Sequence, residues 1–479
     1  MNKIKKLWLD LNSSLWFLPG LIVLGSIVLA LVLVEFDKQI GGNWINGYPR
    51  LFGVEPSGSR DMLSTVAGSM ITIAGIVFSI VIVALSLTSS QYTPRILRNF
   101  MRDQINQTVL GVFVGIFTYC IVVLRTIRGG SDDNVFVPSI AVIVGVLLAL
   151  IGIGFLIYFI HHIAVTIQAS TIIAAVADET VEVVDELFPH RLGENAPAEE
   201  IERLEKFASE ANWQTVRSTE TGYIQNIDVV GLLDLTKKNE IVLRMEHGIG
   251  EFVIAGAPLA SITHIKVTNC VGFSIDRAMT NKINRIYAID NFRTIDQDVA
   301  FGIRQIVDIV MKALSPGIND TTTAVISIDY LTAIVSHLAA HPFPAHFRFS
   351  ENHLRVVAKS PSFEDLIDLA FNQTRQNATN NVAIILRCLH ALEQIALRVR
   401  DGCDLHSKQL NLPEEKRRER LAIISRHMQM TADAARENVK SKDDWAQIAE
   451  HIEKVTVKLG WEKQISVKPK SVSAVSKTD

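Results

Sequence analysis

Ionisable groups are missing from four long stretches of this 479-residue chain. Residues 15–34, 62–88, 108–124 and 136–160 contain no Asp, Glu, Lys, Arg or His. Proton-coupled pumps and many ion-coupled transporters keep such groups at membrane depth, so their absence argues against a carboxylate relay. Cysteine is scarce as well. Cys120, Cys270, Cys388 and Cys403 are too far apart for a metal or redox spacing and are expected to be reduced and structural. No concentrated basic face exists. Residues 1–162 hold 11 Lys and Arg against 8 Asp and Glu, a net of +3, which leaves −6 for the remainder. That balance excludes the charge pattern of a nucleic-acid binder. There is no Walker loop, nucleophile elbow, HExxH or recognisable pair of catalytic carboxylates. The sequence predicts no enzyme, no metal and no cofactor.

What is present is apolarity. Hydrophobic residues make up 48% of the chain and the mean hydropathy is +0.25, high for a water-soluble protein. About 20 apolar residues cross a bilayer core, so each of the four runs is long enough to span. The first is too long for a signal-peptide h-region and is followed by Glu35, Phe36 and Asp37, which reads as an uncleaved anchor. Lys3, Lys5 and Lys6 precede it, and Arg95, Arg98 and Arg102 follow the second run. This bias puts both termini and the large C-terminal part on the cytoplasmic side, with Trp44 and Tyr48 at the outer interface.

The fold class expected is mostly α: a four-helix transmembrane domain, 1–162, followed by a cytoplasmic domain with a small β-barrel and a helical C-terminal region. Helical periodicity continues from the fourth run through 163–190, making one helix of about 50 residues that packs against cytoplasmic neighbours and bends at the membrane surface if at all. After a Gly- and Pro-punctuated linker, 214–268 predicts strands around a short helix at VVGLLDLTKKN, closed into the barrel. GEFVIAGAPLASI resembles the sandwich domains that carry biotin or lipoate, but no lysine stands at the attachment turn. Residues 277–460 predict helices, including one long helix from Pro361 to Arg400 and a short strand at HLRVVAK, and 462–479 predicts a disordered tail.

The second run carries a pattern. Thr65, Thr72, Ser79 and Ser86 recur every seven residues, a drift of only about 20° per heptad, so they share a face with Gly68, Ser69 and Gly75. Two readings stand. Small residues let helices approach closely in lipid, or several copies surround a water-lined path with Thr65, Ser69, Thr72, Ser79 and Ser86 lining it. Arg95, Arg98 and Arg102 share a face, either as membrane-surface charge or as a basic ring at a pore mouth. Gly111 and Gly115 form a GxxxG helix-packing pair, and Gly145 and Gly152 read the same way. His161 and His162 are adjacent and point apart, a poor metal pair. SPGIND, 315–320, reads as a turn or as a ligand contact at a helix start. Arg293, Asp296, Asp298, Arg304 and Asp308 are expected to be structural ion-pair partners.

SSQYTPRILRNF, LGVFVGIFTYCIVVLR, YFIHHIAVTIQ and ALSPGINDTTTA, in this order, resemble a family of predicted bacterial membrane proteins catalogued as domain of unknown function twenty-two fifty-four. Thr321 stands where the resemblance leads one to expect Pro after the Asn-Asp pair. The resemblance implies an integral membrane protein with a cytoplasmic domain and brings no activity or functional residues. Together these observations lead to two expectations. One is a homo-oligomeric, channel-like inner-membrane conduit for small ions, with itself and membrane lipids as partners. The other is a membrane-anchored scaffold or sensor without transport.

Overall fold

The computed structural model describes residues 16–40, 55–91, 103–129, 136–187, 194–195, 198–264, 276–378, 380–401, 412–461 and 464–465. The chain forms two compact units, Met1–Thr171 and Ile172–Asp479.

Among the described residues the first unit holds four long helices: α1 (Phe17–Ile40), α2 (Pro56–Gln91), α3 (Gln104–Thr126) and α4 (Ser139–Thr166). All four are long and apolar enough to cross a bilayer, as is a fifth helix in the second unit, Thr321–Ala340, the least apolar of the set. Among the described residues, length and composition alone therefore give five candidate spans, not four. α3 packs against the other three, and half of its apolar stretch is buried, the largest share in this unit. Its buried residues, Val109, Phe113, Ile116, Tyr119, Cys120 and Val123, join Leu63, Met70, Val77, Ala141 and Phe159 in one core. Leu24, Val32, Phe78, Leu150 and Ile157 are exposed around it, which fits lipid contact.

The single long helix expected through 163–190 is two. α4 stops at Thr166, and α5 (Ala169–Leu187) begins after a break at Ile167–Gln168. α5 buries Ile172, Ile173, Val176, Val183 and Val184 along one amphipathic face.

The expected β-barrel does not form. β1 (Glu194–Asn195), β2 (Gln214–Arg217), β3 (Gly222–Ile227), β4 (Ile241–Met245), β5 (Phe252–Val253), β6 (Pro258–His264), β7 (Tyr287–Asp290), β8 (Phe347–Ser350) and β9 (His353–Val357) make two open sheets. One has the order β1-β8-β9-β4-β6-β2 and the other β5-β3-β7. The reason is long-range pairing. β4 takes β9 as a parallel neighbour, Leu243 opposite Val356, and β3 takes β7, so neither sheet closes on strands of 214–268 alone. Helix α6 (Ile201–Glu210) precedes β2, α7 (Val229–Lys238) follows β3, and α8 (Arg277–Ile286) precedes β7.

The helical bundle comprises α9 (Val299–Ala313), α10 (Thr321–Ala340), α11 (Phe363–Ala378), α12 (Val382–Asp401), α13 (Glu414–Asn438) and α14 (Lys442–Leu459). The long helix expected over 361–400 is divided into α11 and α12, with Asn381 accepting from the Ile384 amide as an N-cap. Trp461 and Ile465, at the edge of the expected tail, are buried. Residues 466–479 lie outside the described residues.

Candidate functional site

α2 has two unlike faces. Ser59, Leu63, Ala67, Met70, Ala74, Val77, Val81, Ala84 and Thr88 recur at spacings of three and four and are buried. At about 100° per residue, Thr65, Thr72, Ser79 and Ser86 fall roughly opposite and Ser69 to the side, about 100° away, and all five are exposed. No atom stands within 4 Å of where a Cβ would be at Gly68 or Gly75 on that side. The hydroxyls are satisfied locally. Thr65 donates to Asp61 O at 2.7 Å, Ser69 to Thr65 O at 2.8 Å, Thr72 to Gly68 O at 2.8 Å and Ser79 to Gly75 O at 2.9 Å. Ile76 and Val83, 52% and 58% exposed, interleave with them.

The glycines of α3 are in a different setting. A Cβ on Gly111 would lie 2.8 Å from Ile22 Cδ1, and one on Gly115 would lie 2.7 Å from Ser26 Oγ, so α1 sits directly on this pair. Gly145 and Gly152 of α4 similarly admit Leu63 and Ile116, at 2.9 Å and 3.1 Å from an added Cβ.

Charged groups appear at the helix ends of this unit, where unpaired backbone groups need them. The Asp37 carboxylate accepts from the amides of Ile140 and Ala141, at 3.2 Å and 3.0 Å, and so caps α4 from α1. Arg60 donates to Ile127 O at 2.7 Å beyond the end of α3. Asp103 caps α3 through the Ile105 amide and meets His162 Nε2 at 2.5 Å. Thus His162 pairs with a carboxylate, and its neighbour His161 is exposed. Arg95, Arg98 and Arg102 lie outside the described residues, as do Trp44, Tyr48, Cys270 and Cys403.

In the second unit, polar groups go inside. Arg293 grips Asp298 with two hydrogen bonds of 2.8 Å and 2.9 Å, and Asp298 caps α9 through the Phe301 amide. Burial pushes the Asp298 carboxyl up, against the pull of Arg293. Gly250 has φ +80 and a Cβ there would strike Asp298, so only glycine fits beside the pair. Arg304 donates to Gln373. Within SPGIND, Asn319 has φ +50, and Asp320 caps α10 by accepting from the Thr323 amide and hydroxyl, bonds that hold its carboxyl below the ordinary range. Cys388 is buried, and burial pushes its thiol up to about 12.

The sequence reading missed one cluster. His337 stands in the last turn of α10 and His341 caps its C-terminus four residues on, with Asp185 of α5 beside both. His337 Nε2 lies 2.6 Å and His341 Nε2 3.6 Å from Asp185 Oδ1. The spacing H-x-x-x-H in SHLAAH was the available signal, but the carboxylate is 152 residues away in sequence.

A model of a family described as predicted membrane protein, DUF2254, matches residues 12–394. Uncharacterized proteins of Mycobacterium bovis and Mycobacterium tuberculosis are 30% identical over 407 residues, covering 83% of this chain and 74% of theirs. No solved structure matches. With its run of apolar helices and a family match over most of its length, the chain belongs to the DUF2254 family of predicted membrane proteins.

Proposed function

We propose that this membrane protein is a homo-oligomeric, channel-like conduit for small ions in the bacterial inner membrane. In this reading α1 to α4 span, α10 is a core helix of the cytoplasmic unit, and both termini are cytoplasmic. The observation that carries the proposal is the uncovered hydroxyl and glycine face of α2, opposite a fully packed heptad face. A lone helix facing only lipid has no need of five hydroxyls and two glycines in line. Copies related by an axis would cover that face and enclose solvent with Thr65, Ser69, Thr72, Ser79 and Ser86, and Arg95, Arg98 and Arg102 would set the charge at the mouth. No catalytic step is part of this reading.

A second reading has its own support. Each of Thr65, Ser69, Thr72 and Ser79 bonds a carbonyl of its own helix, so these hydroxyls tolerate a dry seam. The chain would then be a membrane-anchored scaffold or sensor, with α2 as its dimer face. Ion flux through liposomes holding purified protein separates the two. The conduit predicts flux above that of empty liposomes, and Ser79→Leu should abolish it while leaving assembly intact. Flux equal to empty liposomes from a demonstrated oligomer rejects the conduit, and lost assembly in Ser79→Leu marks a packing seam.

A further inference from the structure

We propose that Asp185, His337 and His341 form a binding site for a first-row divalent transition-metal ion, of the Zn2+ class. The donor set is two imidazole nitrogens and one carboxylate oxygen, all within 4.8 Å of one another. Such nitrogen-rich sets select Zn2+ and its neighbours over Mg2+ or Ca2+, which take oxygen ligands. A tetrahedral ion with bonds of about 2.0–2.1 Å holds its ligand atoms about 3.3 Å apart. The distances from Asp185 Oδ1 to the two imidazoles, 2.6 Å and 3.6 Å, bracket that value. The two imidazole nitrogens, within 4.8 Å of each other, have at most about 1.5 Å to close to reach the same spacing.

Three features favour a site over a chance ion pair. First, His337 in the last turn of α10 and His341, the extended residue that caps its C-terminus, are four residues apart and both approach Asp185. Their rings lie 4.2 Å apart, with the same carboxylate in front of both. Second, His341 Nδ1 faces His337 O at 2.8 Å, a bond it makes by donating, which fixes its tautomer and leaves a lone pair on Nε2 toward Asp185. Third, the two imidazoles are almost enclosed, at 11% and 13% exposure, while Asp185 is 56% exposed. The ion would thus have a walled side and an open side, where water completes the coordination.

Two features set limits on affinity. His337 Nδ1 is buried without a hydrogen-bond partner, so this ring is the weaker of the two imidazole ligands. Arg420 donates to His341 O at 2.8 Å, placing a cation behind the helix end rather than among the ligand atoms. It holds the last turn of α10 in place and keeps the His341 backbone fixed.

The test uses tag-free, full-length protein in detergent, stripped with a chelator. Zn2+ is titrated in competition with a chromophoric chelator, and Co2+ serves as an optical probe of geometry. One Zn2+ per chain is expected, together with the absorption of tetrahedral Co2+ and no Mg2+ binding. His341→Gln and Asp185→Asn should each weaken Zn2+ binding by at least about a hundredfold, since loss of even an outer-shell partner costs 10–100-fold. Asp185 is more than half exposed, so its variant folds even where a histidine replacement does not. A wild-type chain that takes up no Zn2+, or a folded Asp185→Asn variant that binds it unchanged, overturns the proposal and leaves an ion pair between α5 and α10.

Discussion

The two units handle polar groups in opposite ways. In the first, the core cluster is aliphatic and aromatic with small residues at helix contacts, and its buried polar side chains, among them Ser59, Asn106 and Gln107, are uncharged and lie near helix ends. Three of its charged groups, Asp37, Arg60 and Asp103, serve helix ends. In the second, charge enters the core. Arg348 is fully buried on Asn195. Arg420 lies under the end of α10, bonded to the carbonyls of Ala339 and His341 and close to the rings of Phe343 and Phe363. Burial lowers the Arg420 guanidinium to about 10. On the reading proposed above, in which α1 to α4 span and the second unit lies outside the bilayer, the difference follows from the solvent each faces. In lipid a helix satisfies its own backbone and needs help only at its ends. In water a bundle tolerates a buried charge when every donor finds an acceptor.

Replacing Arg420 tests the contrast most severely. Arg420→Met keeps volume but strands the α10 carbonyls, at a cost of about 3 kcal/mol. Amide exchange should accelerate across α10, α11 and α13 while α1 to α4 keep their rates. Unchanged exchange in α10 would mean that the guanidinium is dispensable.

Glycines sharpen the comparison within the first unit. Gly115→Leu forces atoms into α1 and should destabilise by about 1–3 kcal/mol, measured as thermal unfolding in detergent. Gly75→Ala meets nothing in a single chain and should stabilise by about 0.5–1 kcal/mol through helix propensity. A loss of stability at Gly75 in the native membrane, absent in the detergent monomer, would reveal a second chain on that face.

The mildest effect is one of pH. Burial holds the His427 imidazole below its ordinary value, and Arg426 and Arg375 press in the same direction against Asp368. His451 is lowered as well, chiefly by burial. Groups held neutral in this way contribute fully above the unfolded value of about 6.5. That contribution is lost as pH falls below 6.5 toward the depressed folded value. Urea midpoints of the second unit should drop as pH falls below 6.5, and His427→Gln should flatten the slope. A midpoint that rises on acidification contradicts the assignment.

Local patterns were legible in the sequence and long-range ones were not. The four apolar runs, the heptad of α2 and the helix start after SPGIND are written in consecutive residues. The sheets depend on partners far apart, such as Leu243 with Val356, which no periodicity reports. The division of α11 from α12 had a local sign in Asn380-Asn381, overruled by the surrounding apolar period. The uncovered face of α2 was legible as a pattern. Its exposure in a single chain required the neighbouring helices to be placed. The Asp185 cluster needed the end of α5 to meet the end of α10, which is a tertiary event.

The carboxylate of Asp37 makes α1 more than a tether. Deleting or displacing the first helix would strip two amides of their acceptor at the head of α4 and open a trough along Gly111 and Gly115. Expression designs that trim or replace the beginning of this chain would therefore unfasten its third and fourth helices, although no residue of those helices had been touched.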